Sequence, residues 1–322
     1  MNIELLLENL TNPALLFFVL GILAVQLKSD LEIPSGSSKF ISLYLLFSIG
    51  FKGGQELTHS HFSLEIIWTM VFGIFLACVI PLYVFFLLKK RFGVENAGAV
   101  AATYGSVSAV TFVTSISFLE WLKIPFSGHM VAVMALMEAP AIVVGVMLVR
   151  RFSKSDASTG GIGKLFRHSL TNGSVLLILG SLVIGFLTSE KQALGIKPFT
   201  TDIYKGFLAI FLLDMGILSG RKLEEFLKSG WSAAVFATLA PLVNGSLTAI
   251  VSGFITADVG NRLLLSILAA SASYIAVPAA MKMAVPKANP GLFLPMALAV
   301  TFPFNITFGL PVYFSIIQLF PF

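Results

Sequence analysis

Two short polar stretches interrupt apolar segments that are otherwise long enough to cross a membrane. Hydroxyl-bearing and helix-loosening residues crowd both: Thr103, Gly105, Ser106, Ser108 and Thr111 in the first, and Ser271, Ser273, Tyr274 and Pro278 in the second. Glycine loosens a helix and proline removes an amide donor, so each stretch can break a helix inside the membrane. A helix restarting at Ser106 or Ser273 would direct unpaired N–H groups at an anion. The hydroxyls and the carbonyl ends of the incoming half-helices are the hard oxygen ligands that a sodium ion requires.

A simpler interpretation of the first stretch is close helix packing. Ala101, Gly105 and Ala109 are spaced four residues apart, which is the small-residue pattern that lets two membrane helices approach. The polar pattern nevertheless recurs at the matching place in the other half of the chain. Corresponding interruptions in the two halves of a transporter mark its binding site, so we favour a site over packing alone.

Two carboxylates lie inside apolar segments. Glu138 in ALMEAPAI and Asp214 in IFLLDMGIL are each unfavourable there unless they face a cavity, a partner or a cation. Each could instead be protonated or paired between helices for structural reasons. Thr301 and Asn305 are further polar groups near the position that corresponds to Glu138 in the second half.

The composition shows what kind of molecule must position these groups. Of the 322 residues, 57% are hydrophobic and 11% are charged, too few charges to cover the surface of a soluble globule. This composition predicts a polytopic membrane protein and excludes a disordered chain, a nucleic-acid-binding protein and a disulfide-stapled fold.

Ten windows have the length and low charge of membrane spans. They lie near residues 12–27, 38–57, 64–88, 96–118, 129–149, 171–188, 203–219, 230–255, 262–281 and 291–320. Fifteen of the 21 Lys and Arg residues fall in the odd-numbered loops, and the other six, Lys52 and Arg262 among them, fall in the even-numbered loops. By the positive-inside rule these loops are cytoplasmic, and both termini are outside the inner (plasma) membrane.

An internal repeat relates the two halves of the chain. LLFSIGFKGGQEL (45–57) aligns with FLLDMGILSGRKL (211–223), AATYGSVSAV (101–110) with LAASASYIAV (268–277), and Pro140 with Pro303, all at nearly one offset. Five spans per copy require the second copy to enter the membrane from the opposite side. We therefore predict an all-α membrane protein with two inverted five-helix repeats, residues 1–150 and 171–322, whose fourth and ninth helices are broken and which a cytoplasmic connector (151–170) joins.

The charges near the predicted site restrict its substrate. No Lys or Arg lies deep in any predicted span, whereas a di- or tricarboxylate is usually held by a bidentate arginine. A small monoanion neutralised by helix ends and a bound cation fits better. Bicarbonate is such an anion, since its oxygens can accept backbone hydrogen bonds while its hydroxyl needs an acceptor.

At these residues the chain resembles the SbtA-type sodium-dependent bicarbonate symporters. The resemblance extends over nearly the whole length and includes SLYLLFSIGFKGGQEL, AVAATYGSVSAVTF, GHMVAVMALMEAPAI, AASASYIAVPAAM and MALAVTFPFNITFG. It implies a ten-span inverted-repeat transporter that forms a homotrimer. Bicarbonate and sodium would bind where the two broken helices cross.

Carried over by position, the binding segments of the family fall on both polar stretches. The bicarbonate segments match Gly105, Ser106, Val107 and Ser108, and Ser271, Ala272, Ser273 and Tyr274. As sodium ligands we predict Thr103, Ser108 and Ser271, together with Glu138, Thr301 and Asn305, whose placement depends on the repeat. Glu138 would balance the cation or orient the hydroxyls. Some relatives bind a PII-like regulator in the cytoplasm, but the central loop of this chain is shorter than theirs.

The sequence therefore predicts a symporter that imports bicarbonate with sodium as the co-transported ion and needs no cofactor. The alternatives are a sodium-coupled carrier of another small monoanion and a passive anion channel. A membrane-embedded enzyme has no catalytic constellation in the sequence to support it.

Overall fold

The computed structural model of the chain describes residues 3–58, 63–153, 173–227 and 230–321. The regular structure in these ranges is helical and contains no strand. Most of the predicted connector at 151–170 lies outside the described residues.

The helices follow one another with short connections. They are α1 (Ile3–Leu10), α2 (Pro13–Gln26), α3 (Ser35–Thr58), α4 (Leu64–Phe92), α5 (Val94–Gly105), α6 (Ala109–Trp121), α7 (His129–Phe152), α8 (Gly173–Leu187), α9 (Tyr204–Leu227), α10 (Trp231–Val251), α11 (Val259–Ala270) and α12 (Ala276–Ala284). Two short elements, a helical turn at Glu190–Ala193 and a π-helical turn at Pro198–Asp202, lie between α8 and α9. After α12 a continuous helical rod runs from Pro290 to Leu319. Two π-helical turns, Met296–Thr301 and Asn305–Gly309, widen this rod.

Six helical stretches of the described chain are long and apolar enough to cross a membrane. They are Leu64–Phe92, Val94–Trp121, His129–Phe152, Pro198–Leu223, Trp231–Phe254 and Pro290–Leu319. Three shorter apolar helices, Pro13–Gln26, Gly173–Leu187 and Val259–Ala270, accompany them. The sequence predicts ten spans, so length and composition bear out only part of that number. The polar residues Ser35–Lys39 lower the mean hydropathy at the start of α3, and the break after Ala270 shortens α11.

The helices form two groups that pack against each other. In the first, which we call the paired-helix bundle, α2 packs along α9 and α3 packs along α8. In the second, the crossing bundle, α4 packs on α5 and α7, while α10 packs on α11 and on the C-terminal rod. The two interrupted helices belong to the crossing bundle and face the paired-helix bundle.

Glycines allow the two close crossings in the paired-helix bundle. A methyl group on Gly21 or Gly216 would overlap the backbone of the facing helix in the α2–α9 pair. The same is true of Gly54 and Gly185 in the α3–α8 pair. Because small residues let helix backbones approach in a membrane, these four positions set the spacing of both pairs.

We expect Gly185→Ala to lower the apparent unfolding temperature of the purified protein, because the added methyl would overlap the carbonyl of Phe51 on α3. Overpacking of this kind costs about 1–3 kcal/mol. Gly180→Ala on the same helix is the matched control, because a methyl there has no heavy atom within 4 Å. Equal unfolding temperatures for both variants would contradict this account of the crossing.

Candidate functional site

The first interruption separates α5 from α6. Helix α5 ends at Gly105, and Ser106 has an extended backbone with φ −84° and ψ 175°. Helix α6 begins at Ala109, where the Ser108 hydroxyl accepts a hydrogen bond from the Thr111 amide at 3.2 Å. Serine is a favoured N-cap because its side chain satisfies one of the amides that a helix start leaves unpaired. The helix therefore restarts three residues after the predicted Ser106.

The second interruption separates α11 from α12. Helix α11 ends at Ala270, and the chain is not helical again until Ala276. The predicted restart at Ser273 is likewise displaced by three residues. Pro278 lies in the first turn of α12, where proline is tolerated because the amide it lacks would have no helical acceptor.

The two interruptions cross and hold each other. The amide of Ser273 donates to the carbonyl of Thr103 at 2.9 Å. The amide of Ser108 donates to the Ser271 hydroxyl at 3.0 Å, and this hydroxyl donates to the Leu268 carbonyl at 3.0 Å. Backbone groups that each break releases are thus partly satisfied by the other break, which fixes the crossing at one register.

Three hydroxyls of the first interrupted helix have no hydrogen-bond partner within the described chain. They belong to Thr103, Ser106 and Thr111, and all three side chains are fully buried. A buried hydroxyl without a partner is unfavourable by about 1–3 kcal/mol, so three of them in nine residues mark a candidate ligand site. Neutral oxygens next to the carbonyl end of α5 suit a hard monovalent cation.

A small cavity lies where the second half-helices begin. Its volume is about 30 Å³, room for little more than a water molecule. Val107, Ser108 and Ala109 line it from one interruption, and Ser273, Tyr274, Ile275 and Ala276 from the other. The first amides of a helix have no acceptor in their own helix, so the starts of α6 and α12 offer this cavity N–H donors and two positive dipole ends.

Glu138 from α7 lines the same cavity. It is the one charged residue among the described residues that surround this space, with Ser42 and Ser174 as further polar members. Ser42 and Ser174 were not predicted from the sequence, because each is an isolated serine outside the polar clusters. Helix α7 supplies Glu138 from the crossing bundle, whereas α3 and α8 supply the serines from the paired-helix bundle.

Asp214 lies apart from this cavity. Its carboxylate accepts a hydrogen bond from the Ser38 hydroxyl, which joins α9 to α3, and only 4% of Asp214 is exposed. Asp214 borders a wider cavity of about 630 Å³, which also reaches Ser42, Tyr274 and Ile275. The two intramembrane carboxylates therefore have different surroundings.

Thr301 and Asn305 bind to other parts of the protein. Thr301 donates to the carbonyl of Ala237 at 2.7 Å, the carbonyl that Pro241 leaves without its helical donor, and its oxygen is 2.7 Å from the Tyr104 hydroxyl. Asn305 donates to the Ala270 carbonyl at the end of α11, at 2.9 Å. Both residues therefore support the ends of the interrupted helices, and their role as sodium ligands stays a prediction.

The two ends of the interface between the bundles differ. At one end the 630 Å³ cavity opens beside Lys39, Arg221 and Lys222. At the other end Lys52 of α3 forms an ion pair with Glu120 of α6 at 2.8 Å, and its ammonium lies 5.5 Å from the centre of the Tyr204 ring. The sequence suggested only that Lys52 extends toward the outer surface. The ion pair, which joins residues 68 positions apart, was not anticipated.

One basic residue is more deeply buried than the sequence suggested. Arg262, predicted to lie in an outer loop, belongs to the first turns of α11 and is 1% exposed. Its guanidinium donates to the carbonyls of Ala249 and Phe320, which end α10 and follow the C-terminal rod. It stabilises helix ends and does not line either cavity at the crossing.

The crossing of two interrupted helices, with buried unpartnered hydroxyls between two apolar helical bundles, is the arrangement of a multi-pass membrane transporter. The sequence model of the Na+-dependent bicarbonate transporter superfamily matches residues 13–318. The chain belongs to this superfamily, as the sequence resemblance predicted. No individually curated protein matches the chain.

Proposed function

We propose that this protein is a secondary active symporter that imports bicarbonate down a sodium gradient. The observation that carries the proposal is the crossing itself, where three buried hydroxyls without partners adjoin two half-helix starts. The first set suits a cation and the second an anion. Membership of a sodium-dependent bicarbonate transporter superfamily supports the same pair of ions.

The proposed architecture has ten spans in two inverted five-helix repeats, residues 1–150 and 171–322. In this architecture the first span (α2) corresponds to the sixth (α8), and the second (α3) to the seventh (α9). The helix pairing supports it, because the α2–α9 pair and the α8–α3 pair are then the same contact in the two repeats. The glycine contacts agree with it, since Gly216 of the seventh span aligns with Gly50 of the second, and a methyl on either would overlap a backbone carbonyl of the facing helix. In this architecture each interrupted helix is the fourth of its repeat.

The proposed bicarbonate site consists of the two non-helical segments, residues 105–108 and 271–274, and the amides that follow them. Ser106 and Ser273 are its central residues. Of the eight predicted positions, Val107, Ser108, Ser273 and Tyr274 border the small cavity. Gly105 instead packs on α4, because a methyl there would overlap the Pro81 ring.

The proposed sodium site uses the hydroxyls around the end of α5. Thr103, Ser108 and Ser271 are the predicted ligands nearest the crossing, and the unpartnered Thr111 hydroxyl joins them. Glu138 balances the positive charge from across the cavity. Because the anion and the cation then lie on the two sides of one crossing, each reduces the charge repulsion or desolvation that the other meets, which couples their binding.

Transport then requires the crossing bundle to move against the paired-helix bundle. The basic face beside Lys39 and Arg221 is proposed to be cytoplasmic by the positive-inside rule, with both termini outside. The wide cavity on that face and the ion pair on the opposite face correspond to an inward-open arrangement. Assembly as a homotrimer in the plasma membrane and binding of a PII-like regulator stay predictions.

Uptake of labelled bicarbonate into proteoliposomes tests the proposed function. We expect an inward sodium gradient to drive accumulation above the equilibrium level, and replacement of sodium by potassium to abolish it. Uptake that does not depend on sodium would overturn the symport. Equilibration without accumulation would show a channel, and stronger uptake of another monoanion in competition would identify a different substrate.

A further inference from the structure

Glu138 is a carboxylate that borders a cavity otherwise suited to an anion. It lines the small cavity with Ser108 and Ser273, and no Lys, Arg or His is among the described residues that line it. A fully ionised carboxylate only accepts hydrogen bonds. An ionised Glu138 therefore repels an anion that has no hydrogen to donate. The presence of such a group beside an anion site requires a functional explanation.

We propose that Glu138 determines the specificity of the site by accepting the hydrogen bond of the bicarbonate hydroxyl. The inference rests on the proposed function and names the group that selects its substrate. Once the small cavity widens to admit it, bicarbonate lies with its two charged oxygens toward the amides at the starts of α6 and α12. Its hydroxyl lies toward Glu138, on the α7 side of the cavity.

Nitrate is the informative competitor. It has the planar shape, the size and the single charge of bicarbonate, but it carries no hydrogen. The helix starts attract both anions equally, so they cannot distinguish them. An ionised Glu138 distinguishes them strongly, because like charges in contact cost several kcal/mol, and a site built around a substrate hydroxyl strongly rejects an analogue that lacks it.

The role of Glu138 as counter-charge for sodium, taken alone, makes a different prediction. A counter-charge acts through the cation, so its loss would weaken sodium binding and leave the order of preference among anions unchanged. A hydroxyl acceptor acts on the anion directly. Its replacement by an amide, which offers a donor as well as an acceptor, would admit anions without a hydrogen.

The test is competition by nitrate in proteoliposomes that contain wild type or Glu138→Gln. We expect wild-type bicarbonate uptake to resist a large excess of nitrate, and the variant to be inhibited at a nitrate concentration at least tenfold lower. Asp214→Asn is the matched control, since it neutralises the other intramembrane carboxylate, which does not line the small cavity. Its resistance to nitrate is expected to equal that of the wild type.

A second measurement tests the proposal even if Glu138→Gln folds but does not transport. In the presence of sodium, nitrate is expected to raise the unfolding temperature of purified Glu138→Gln but not of the wild type, because a ligand stabilises the state that binds it. Inhibition of wild-type uptake by nitrate, or a variant as resistant as the wild type, would overturn the proposal. Wild-type protein that takes up no bicarbonate would instead refute the proposed function, a result distinguishable from both.

Discussion

Replacing Thr103 with valine is expected to raise the sodium concentration for half-maximal bicarbonate uptake about tenfold to a hundredfold without lowering thermal stability. The Thr103 hydroxyl is fully buried and has no partner among the described residues. Valine keeps the branched shape and removes only the oxygen. A contact between an oxygen and a charged group contributes about 1.5–3 kcal/mol, and each 1.4 kcal/mol is about tenfold in affinity.

Two measurements, the sodium dependence of uptake and the thermal stability, together make this prediction specific. If no cation bound there, removing an unsatisfied buried hydroxyl would stabilise the fold and leave the sodium dependence unchanged. Thr114→Val on α6 is the matched control, because that hydroxyl donates to the carbonyl of Val110 at 2.9 Å within its own helix. A Thr103 variant whose sodium dependence matches that of the Thr114 variant would exclude Thr103 as a ligand.

The sequence predicted the position of the crossing because both interruptions are local features. Glycine and hydroxyl-bearing residues near Ser106 and Ser273 disturb a helix wherever it packs, and the structure breaks both helices there. The restart points were displaced by three residues for a local reason in the first case. Ser108 serves as the N-cap of α6, and a cap lies outside the helix that it starts.

Side-chain partners depend on tertiary packing and could not be predicted in the same way. Arg262 was assigned to a loop because a charge seldom lies inside a span, yet the carbonyl at Ala249 is a helix end that its guanidinium can satisfy. Thr301 is predicted to be a cation ligand from its place in the repeat, and its hydroxyl also donates to the carbonyl of Ala237, which the proline at 241 frees. Neither partner lies near in sequence, so no spacing rule reveals it.

The ion pair between Lys52 and Glu120 leads to the second large expected effect. The pair joins α3 of the paired-helix bundle to α6 of the crossing bundle, at the end opposite the 630 Å³ cavity. The Lys52 side chain is 30% exposed and the Glu120 side chain is 27% exposed. Partial burial of this kind makes the pair worth about 1–2 kcal/mol, between an exposed and a fully buried pair.

Any arrangement in which the bundles separate at this end must break the ion pair. Lys52→Met is therefore expected to shift the balance toward an arrangement open at this end, the outward-open one in the proposed orientation, by about five- to thirtyfold, the population ratio that corresponds to that energy. Ile116 reports the shift, since it lines a separate cavity of about 220 Å³ beside the pair and is 2% exposed. With the single cysteine Cys78 replaced by alanine, Ile116→Cys provides one thiol for labelling from outside by a membrane-impermeant maleimide.

We expect Lys52→Met to raise the rate of labelling at position 116 by that factor. Arg221→Met is the matched control, because Arg221 pairs with Glu32 at 3.3 Å within the paired-helix bundle and does not join the two bundles. The charge-reversed variant, Lys52→Glu with Glu120→Lys, keeps an attractive pair at the same place and is expected to restore slow labelling. An unchanged rate in Lys52→Met would show that packing around the pair, rather than the pair itself, holds this end of the protein closed.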